Sequence, residues 1–154
     1  MSGKLLEINS DGETVRTIVL DAGISQPLHS VQLAGGEFVV CSCGRGQDRV
    51  HRVSVVNEKG AVERSYGSTS GAAAGQLSWP THLAVDRDGF VLVADRNNAR
   101  VLLLSPRLEF VCLVLPNELQ RRTNHVYVDL DADKLYTSSR VFDERRSVVT
   151  AIQL

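Results

Sequence analysis

A chain of 154 residues is long enough for one domain that buries roughly 70% of its unfolded surface. Apolar residues make up 43% of the chain, charged residues 23%, and the formal net charge is −1, which excludes a protein that is basic throughout. No apolar run approaches the roughly 20 residues of a membrane span, and the N-terminal segment lacks the apolar core of a signal peptide. With three cysteines, an odd number, these features predict a reduced cytoplasmic protein.

Short apolar segments follow one another along the whole chain. The first two lie at residues 4–9 and 14–20, and the middle of the chain holds four more at 82–86, 90–94, 101–105 and 110–115. Turn residues such as glycine and proline separate them. Segments this short, rich in Val and Leu and without helical periodicity, predict strands, thirteen in total.

The chain repeats itself every 48 residues, as the spacing of Leu5, Val53, Val101 and Val149 shows. The period divides it into copies at about residues 5–52, 53–100 and 101–148, followed by an additional strand at 149–154. Four strands within 40–50 residues are typical of a β-propeller blade. We therefore expect a single all-β unit of about three four-stranded blades.

The middle copy carries a family resemblance. Its residues 79–86, 89–95 and 98–101 resemble the NHL-repeat consensus, most closely in the C-terminal propellers of tripartite-motif ubiquitin ligases and of the brain-tumor translational repressor. That resemblance implies a ring of six blades and binding to protein or RNA partners. Three blades would be half of such a ring, so we expect a homodimer that completes it. The alternative is that the chain is the C-terminal half of a longer protein.

Several polar residues are predicted to be structural. Asp95, Asn98 and Arg100 should tie the second strand of the middle blade to the third, and Ser42 and Ser139 stand where the outer copies would have Asp95. The aspartates of the segments 86–89 and 129–133 are interpreted as turn residues rather than calcium ligands. Cys41 and Cys43 are expected to be small buried residues.

Three histidines recur at one place in successive copies. His29, His82 and His125 stand at the entry to each innermost strand, near one mouth of the central channel. Three imidazoles could bind zinc. The resemblance to the amidating-lyase propeller implies the corresponding alternative function, a metal-dependent six-bladed-propeller enzyme that uses these channel histidines. Alternatively, each histidine caps its own blade by hydrogen bonding to loop backbone. Because blade symmetry should separate equivalent residues around the ring, we expect no metal and no cofactor.

No nucleophile elbow, phosphate loop or zinc-protease motif is present, so the sequence does not predict an enzyme. The arginines are unevenly distributed instead: ten of fourteen fall in the loops that should form one face of the propeller. The residues expected to bind a ligand there are Arg45, Arg49, Trp79, Arg96, Arg121, Arg122, Arg140 and Arg145. Aromatic side chains are few on that face, which favours a protein partner and leaves RNA as the alternative.

Overall fold

The structure is a computed structural model that describes residues 3–44, 49–115, 121–141 and 146–153. The described residues form thirteen β-strands and one short 3-10 helix. In chain order the elements are β1 Lys4–Ile8, β2 Thr14–Val19, β3 Pro27–Gln32, β4 Phe38–Cys43, β5 His51–Val56, β6 Val62–Tyr66, β7 Pro80–Val85, β8 Val91–Asp95, the 3-10 helix Arg96–Asn98, β9 Arg100–Leu104, β10 Phe110–Leu115, β11 Arg121–Asp129, β12 Lys134–Val141 and β13 Ser147–Gln153.

The strands form four antiparallel sheets. Two are complete four-stranded blades, β3–β6 and β7–β10, in which the strands follow one another in chain order. A three-stranded sheet, β11–β13, and a two-stranded sheet, β1–β2, stand at the two ends. The fold is therefore all-β and a partial propeller, as the sequence predicts. No helix in the described part of the chain is long and apolar enough to cross a membrane.

Aspartates shape the tight turns between the first two strands of a blade. Asp86 Oδ1 accepts the backbone N–H groups of Asp88 and Phe90, at 3.0 and 2.8 Å. Asp129 Oδ1 accepts those of Asp131 and Ala132, both at 3.1 Å. The carboxylates thus replace missing backbone partners in the turn, which confirms their interpretation as turn residues.

The core consists of layers between neighbouring blades. Because side chains alternate along a strand, each blade presents one face to the blade before it and the other to the blade after it. On β7, Leu83 packs towards β3–β6, while Ala84 packs towards β11–β13. Cys41 and Cys43 are fully buried as predicted, and burial raises the pKa of both thiols to about 12. A fully buried leucine or valine contributes roughly 1.5–3 kcal/mol, so these layers are the main source of stability.

Each incomplete sheet packs only one of its faces. β1 and β2 cover the β3–β6 blade through Leu5, Ile18 and neighbouring residues. The attachment is close at Gly60, whose carbonyl accepts the Asp21 N–H at 3.0 Å. Gly60 has a φ of 83°, and a Cβ there would collide with the backbone carbonyl of Val19. Glycine is therefore required at this joint.

Candidate functional site

A buried carboxylate organises the loop that joins β6 to β7. Asp95 is fully buried, and its Oδ1 accepts the Ser78 N–H at 2.6 Å. Its Oδ2 accepts Asn98 Nδ2 at 2.7 Å and Arg100 Nε at 2.8 Å. Burial raises the pKa of Asp95, and these donors oppose the rise. The predicted structural role of Asp95, Asn98 and Arg100 is thus supported.

Arg100 does more than tie two strands together. Its terminal nitrogens donate to the carbonyls of Ala72 and Gln76, at 3.1 and 2.9 Å, and Asn98 Nδ2 also reaches the Gly71 carbonyl at 2.8 Å. Arg100 and Asn98 together therefore hold the loop at three of its backbone carbonyls. The sequence predicted the tie between Asp95 and Arg100 but not that Arg100 also fixes this loop.

A pocket of about 560 Å³ opens beside this loop. Its described lining residues are Gly44, Arg49, His51, Ser70, Ser78, Trp79 and Asn97. Two of the predicted binding residues, Arg49 and Trp79, thus meet in one cavity. The Arg49 side chain is exposed, and the Trp79 side chain is half-buried.

Trp79 is held in place by its backbone. Its φ is 61°, in the left-handed region that bulky residues rarely adopt. Its N–H donates to His51 Nδ1 at 2.9 Å, and its carbonyl accepts the Arg96 N–H at 3.3 Å. The edge of the indole meets the imidazole of His51 with ring centroids 5.9 Å apart. The surrounding hydrogen bonds therefore impose a conformation that the residue would otherwise avoid.

His51 lines the pocket, and the sequence analysis did not single this residue out. It is 5% exposed, and burial is the main cause that lowers its pKa. A neutral imidazole suits the geometry, because Nδ1 must accept the Trp79 N–H. His51 lies outside the repeated histidine series, so no spacing in the sequence marked it.

Four of the remaining predicted binding residues lie on or beside β11 and β12. Arg96 Nε donates to Asn124 Oδ1 at 2.8 Å, linking the 3-10 helix to β11. Arg122 and Arg140 are directly opposite each other on β11 and β12. Arg121 also belongs to β11. Arg45 and Arg145 lie outside the described residues.

The three repeated histidines are neighbours. The rings of His29 and His82 stack with centroids 3.7 Å apart, and those of His82 and His125 meet at 5.0 Å. The expectation that blade symmetry separates them is wrong, because the innermost strands β3, β7 and β11 approach closely at this end. Among the described residues, no group of three or more His, Cys, Asp or Glu side chains has the arrangement of a metal site.

The histidines differ in their hydrogen-bond partners. His29 Nδ1 accepts the N–H of Leu83 in the next blade at 3.3 Å, which corrects the expectation of a cap within one blade. His125 Nδ1 instead pairs with Ser138 Oγ of its own sheet at 3.0 Å. Burial, followed by the charge of His125, lowers the pKa of His29. Burial and both neighbouring histidines lower the pKa of His82 to about 4.

Solved structures share this architecture. Virginiamycin B lyase from Staphylococcus aureus aligns with a TM-score of 0.62 at 11% identity, over 99% of this chain and 49% of that one. The β-propeller domain of Myceliophteria thermophila Cps50 aligns with a TM-score of 0.59 at 15% identity, over 96% and 44%. A luciferin-regenerating enzyme aligns at 0.59 and 13% identity, over 99% and 52%. The chain thus spans about half the length of the structures it matches.

The shared architecture shows that this chain has the fold of part of a β-propeller. The profile of the NHL repeat matches residues 77–102, which cover β7, β8 and the first part of β9. The chain therefore contains an NHL repeat at residues 77–102 within a partial β-propeller. Comparison with curated protein sequences gives no match. The finer resemblance to tripartite-motif ligases and the brain-tumor repressor stays a prediction. Two of the three solved structures described above carry enzyme names.

Proposed function

We propose that this protein is a non-catalytic recognition scaffold that binds an acidic protein partner through its arginine-rich face, defined by Arg49, Trp79, Arg96, Arg122 and Arg140. The observation that carries the proposal is that some arginines are engaged within the protein whereas others are exposed to solvent. Arg100 is occupied by the buried Asp95 and by loop carbonyls, whereas the side chains of Arg49 and Arg140 are exposed. Exposed guanidinium groups fork onto carboxylates, which favours an acidic partner.

A protein partner is favoured over RNA because the arginine-rich face has few aromatic side chains on which bases could stack. Single-stranded RNA is bound largely by stacking its bases on aromatic rings. On the described part of the arginine-rich face, Trp79 is the one aromatic side chain, and its indole is half-buried against His51. One such ring would hold one base at most. RNA is therefore the second candidate ligand.

We also propose that two copies of the chain close a six-bladed ring. At one end β1 and β2 expose Leu6, Ile8, Val15 and Val19, each between 54% and 64%. At the other end Tyr127 and Val149 are 63% and 71% exposed. Both faces belong to incomplete blades, where a complete propeller has a neighbouring blade. A two-fold axis along the channel would cover both faces in each copy by identical junctions.

Fluorescence anisotropy tests the recognition proposal with two probes, a labelled hexaglutamate peptide and a labelled oligouridylate of the same charge. We expect hexaglutamate to bind the wild-type protein and its affinity to fall as salt rises, because exposed ion pairs are screened. A hexaserine peptide is the neutral control. Tighter binding of oligouridylate would identify RNA as the ligand, and absence of binding to both probes would contradict the proposal.

A further inference from the structure

The pocket beside Trp79 combines one cation with neutral hydrogen-bonding groups. Arg49 is the one charged side chain among the described residues that line it. Asn97 offers an exposed amide, and the hydroxyls of Ser70 and Ser78 lie 3.3 Å apart at its wall. His51 adds no positive charge, because its Nδ1 accepts the Trp79 N–H. The described lining thus carries a single positive charge and no carboxylate.

The charge of the pocket selects among anions. A phosphate monoester carries close to two negative charges at neutral pH, whereas a carboxylate carries one. One guanidinium can pair with one carboxylate through two parallel hydrogen bonds. The half-buried indole of Trp79 next to it provides an apolar surface for the methylene groups of a side chain.

Backbone strain is concentrated at the same place. Of the five non-glycine residues with positive φ in the described chain, two line this pocket, Arg49 at 20° and Trp79 at 61°. Such strain costs of order 1–3 kcal/mol and persists where the surroundings impose it. Here the hydrogen bonds to His51 and from Arg96 do so for Trp79, and the Arg49 carbonyl accepts the Ser70 N–H at 2.9 Å. The backbone at both positions is thus held in place before any ligand arrives.

We propose that this pocket is the anchor point of the arginine-rich face and binds the carboxylate of one glutamate side chain of the partner. The carboxylate pairs with Arg49, and the glutamate methylene groups lie against Trp79. This inference rests on the proposed recognition function and names the site within the face where specificity is set.

Trp79 is the single tryptophan of the chain, so its intrinsic fluorescence reports on this pocket alone. We expect unlabelled hexaglutamate to change that fluorescence saturably, with hexaglutamine, inorganic phosphate and oligouridylate at equal ionic strength giving no saturable change. Arg49→Gln should weaken hexaglutamate binding about tenfold or more, because it removes the charged partner. Arg107→Gln, which removes an equal charge from the exposed turn between β9 and β10, outside the arginine-rich face, is the matched control and should keep the fluorescence change. Circular dichroism establishes that both variants fold.

The outcomes separate this inference from the function on which it rests. If hexaglutamate binds by anisotropy while Trp79 fluorescence stays constant and Arg49→Gln binds like wild type, the pocket is not the anchor, although the face still binds. If anisotropy shows no binding, the recognition function itself is wrong. If phosphate or oligouridylate alone changes the Trp79 fluorescence, the pocket binds phosphate and the carboxylate assignment is overturned.

Discussion

Arg52 and Arg100 occupy the same position in successive blades but have different partners. Asp95 lies directly opposite Arg100 on the neighbouring strand, and Ser42 lies directly opposite Arg52 in the corresponding position. As a result, Arg52 Nε is buried without a hydrogen-bond partner in the described structure. A buried donor without a partner costs about 1–3 kcal/mol, so the first complete blade is weaker at this position than the second.

Ser42→Asp should therefore stabilise the protein. The new carboxylate would stand opposite Arg52 as Asp95 stands opposite Arg100, and we expect the free energy of unfolding to rise by about 1 kcal/mol after the cost of burying the charge. Ser139→Asp is the matched control: Ser139 is equally buried, but its partner on β13 is Val148, so this variant should lose stability. Urea unfolding at pH 7 measures both changes. Equal destabilisation by the two substitutions would contradict the explanation.

The stacked histidines predict that stability depends on pH. The pKa of His29 is lowered in the folded state, and that of His82 is lowered to about 4, whereas an unfolded histidine titrates near 6.5. Between about pH 4 and pH 6.5 the unfolded chain therefore binds more protons than the folded chain. The contribution of these two histidines to the free energy of unfolding is complete above about pH 6.5 and is lost as the pH falls towards 4. We expect the urea midpoint to fall between pH 7 and pH 5, and to fall less in His82→Gln. A midpoint independent of pH in the wild type would show that these rings do not titrate as described.

At the scale of elements, β11 and β12 place two like charges face to face. Arg122 and Arg140 are directly opposite each other in the strand register, so two positively charged residues lie side by side at this end of the sheet. We expect this edge of the arginine-rich face to contribute to the attraction of an acidic partner separately from the Trp79 pocket.

Reversing both charges, in Arg122→Glu/Arg140→Glu, should weaken hexaglutamate binding and flatten its dependence on salt. The control is Lys59→Glu/Arg107→Glu, which makes the same charge change in the turns at the other end of the blades. We expect the control to bind nearly as the wild type does. Anisotropy titrations at two salt concentrations give both quantities, and unchanged affinity in the first variant would remove this edge from the binding face.

At the scale of the whole molecule, the two complete blades stand between two incomplete ones. Within the chain β1 pairs with β2 and β13 pairs with β12, so both terminal strands have a place. If two copies join, β1 of one copy and β13 of the other would compete for the same position in the shared blade. One of them must move, or the shared blade must have five strands. Further blades of the same polypeptide would cover the same exposed faces.

Light scattering distinguishes these assemblies. We expect a species of about twice the 16.8 kDa chain mass at micromolar concentration. Tyr127→Asp and Ile8→Asp should each shift it towards the monomer, because each places a charge on a face that would be covered. Leu130→Asp, in the turn between β11 and β12, is the control and should leave the mass unchanged. A stable wild-type monomer would refute the dimer.

Much of the fold was predictable because its signals are local or periodic. The 48-residue spacing from Leu5 to Val149 predicted the blades, since four short strands bury their faces only by stacking on copies of themselves. Asp86 and Asp129 were interpreted correctly as turn residues because their hydrogen bonds reach only two to four residues along the chain. The tie between Asp95 and Arg100 was predictable for the same reason.

Only the tertiary structure decided which blades bring which side chains together. His29 and His82 are 53 residues apart in sequence, and their stacking depends on how closely the innermost strands approach, which no local pattern encodes. The contact between His51 and Trp79 joins β5 to a loop held by Arg100 from a different blade, so the pocket exists only once both blades are packed. Strand alternation and turns act over a few residues and determine each blade, whereas the angle and distance between blades arise from the packing of their buried layers.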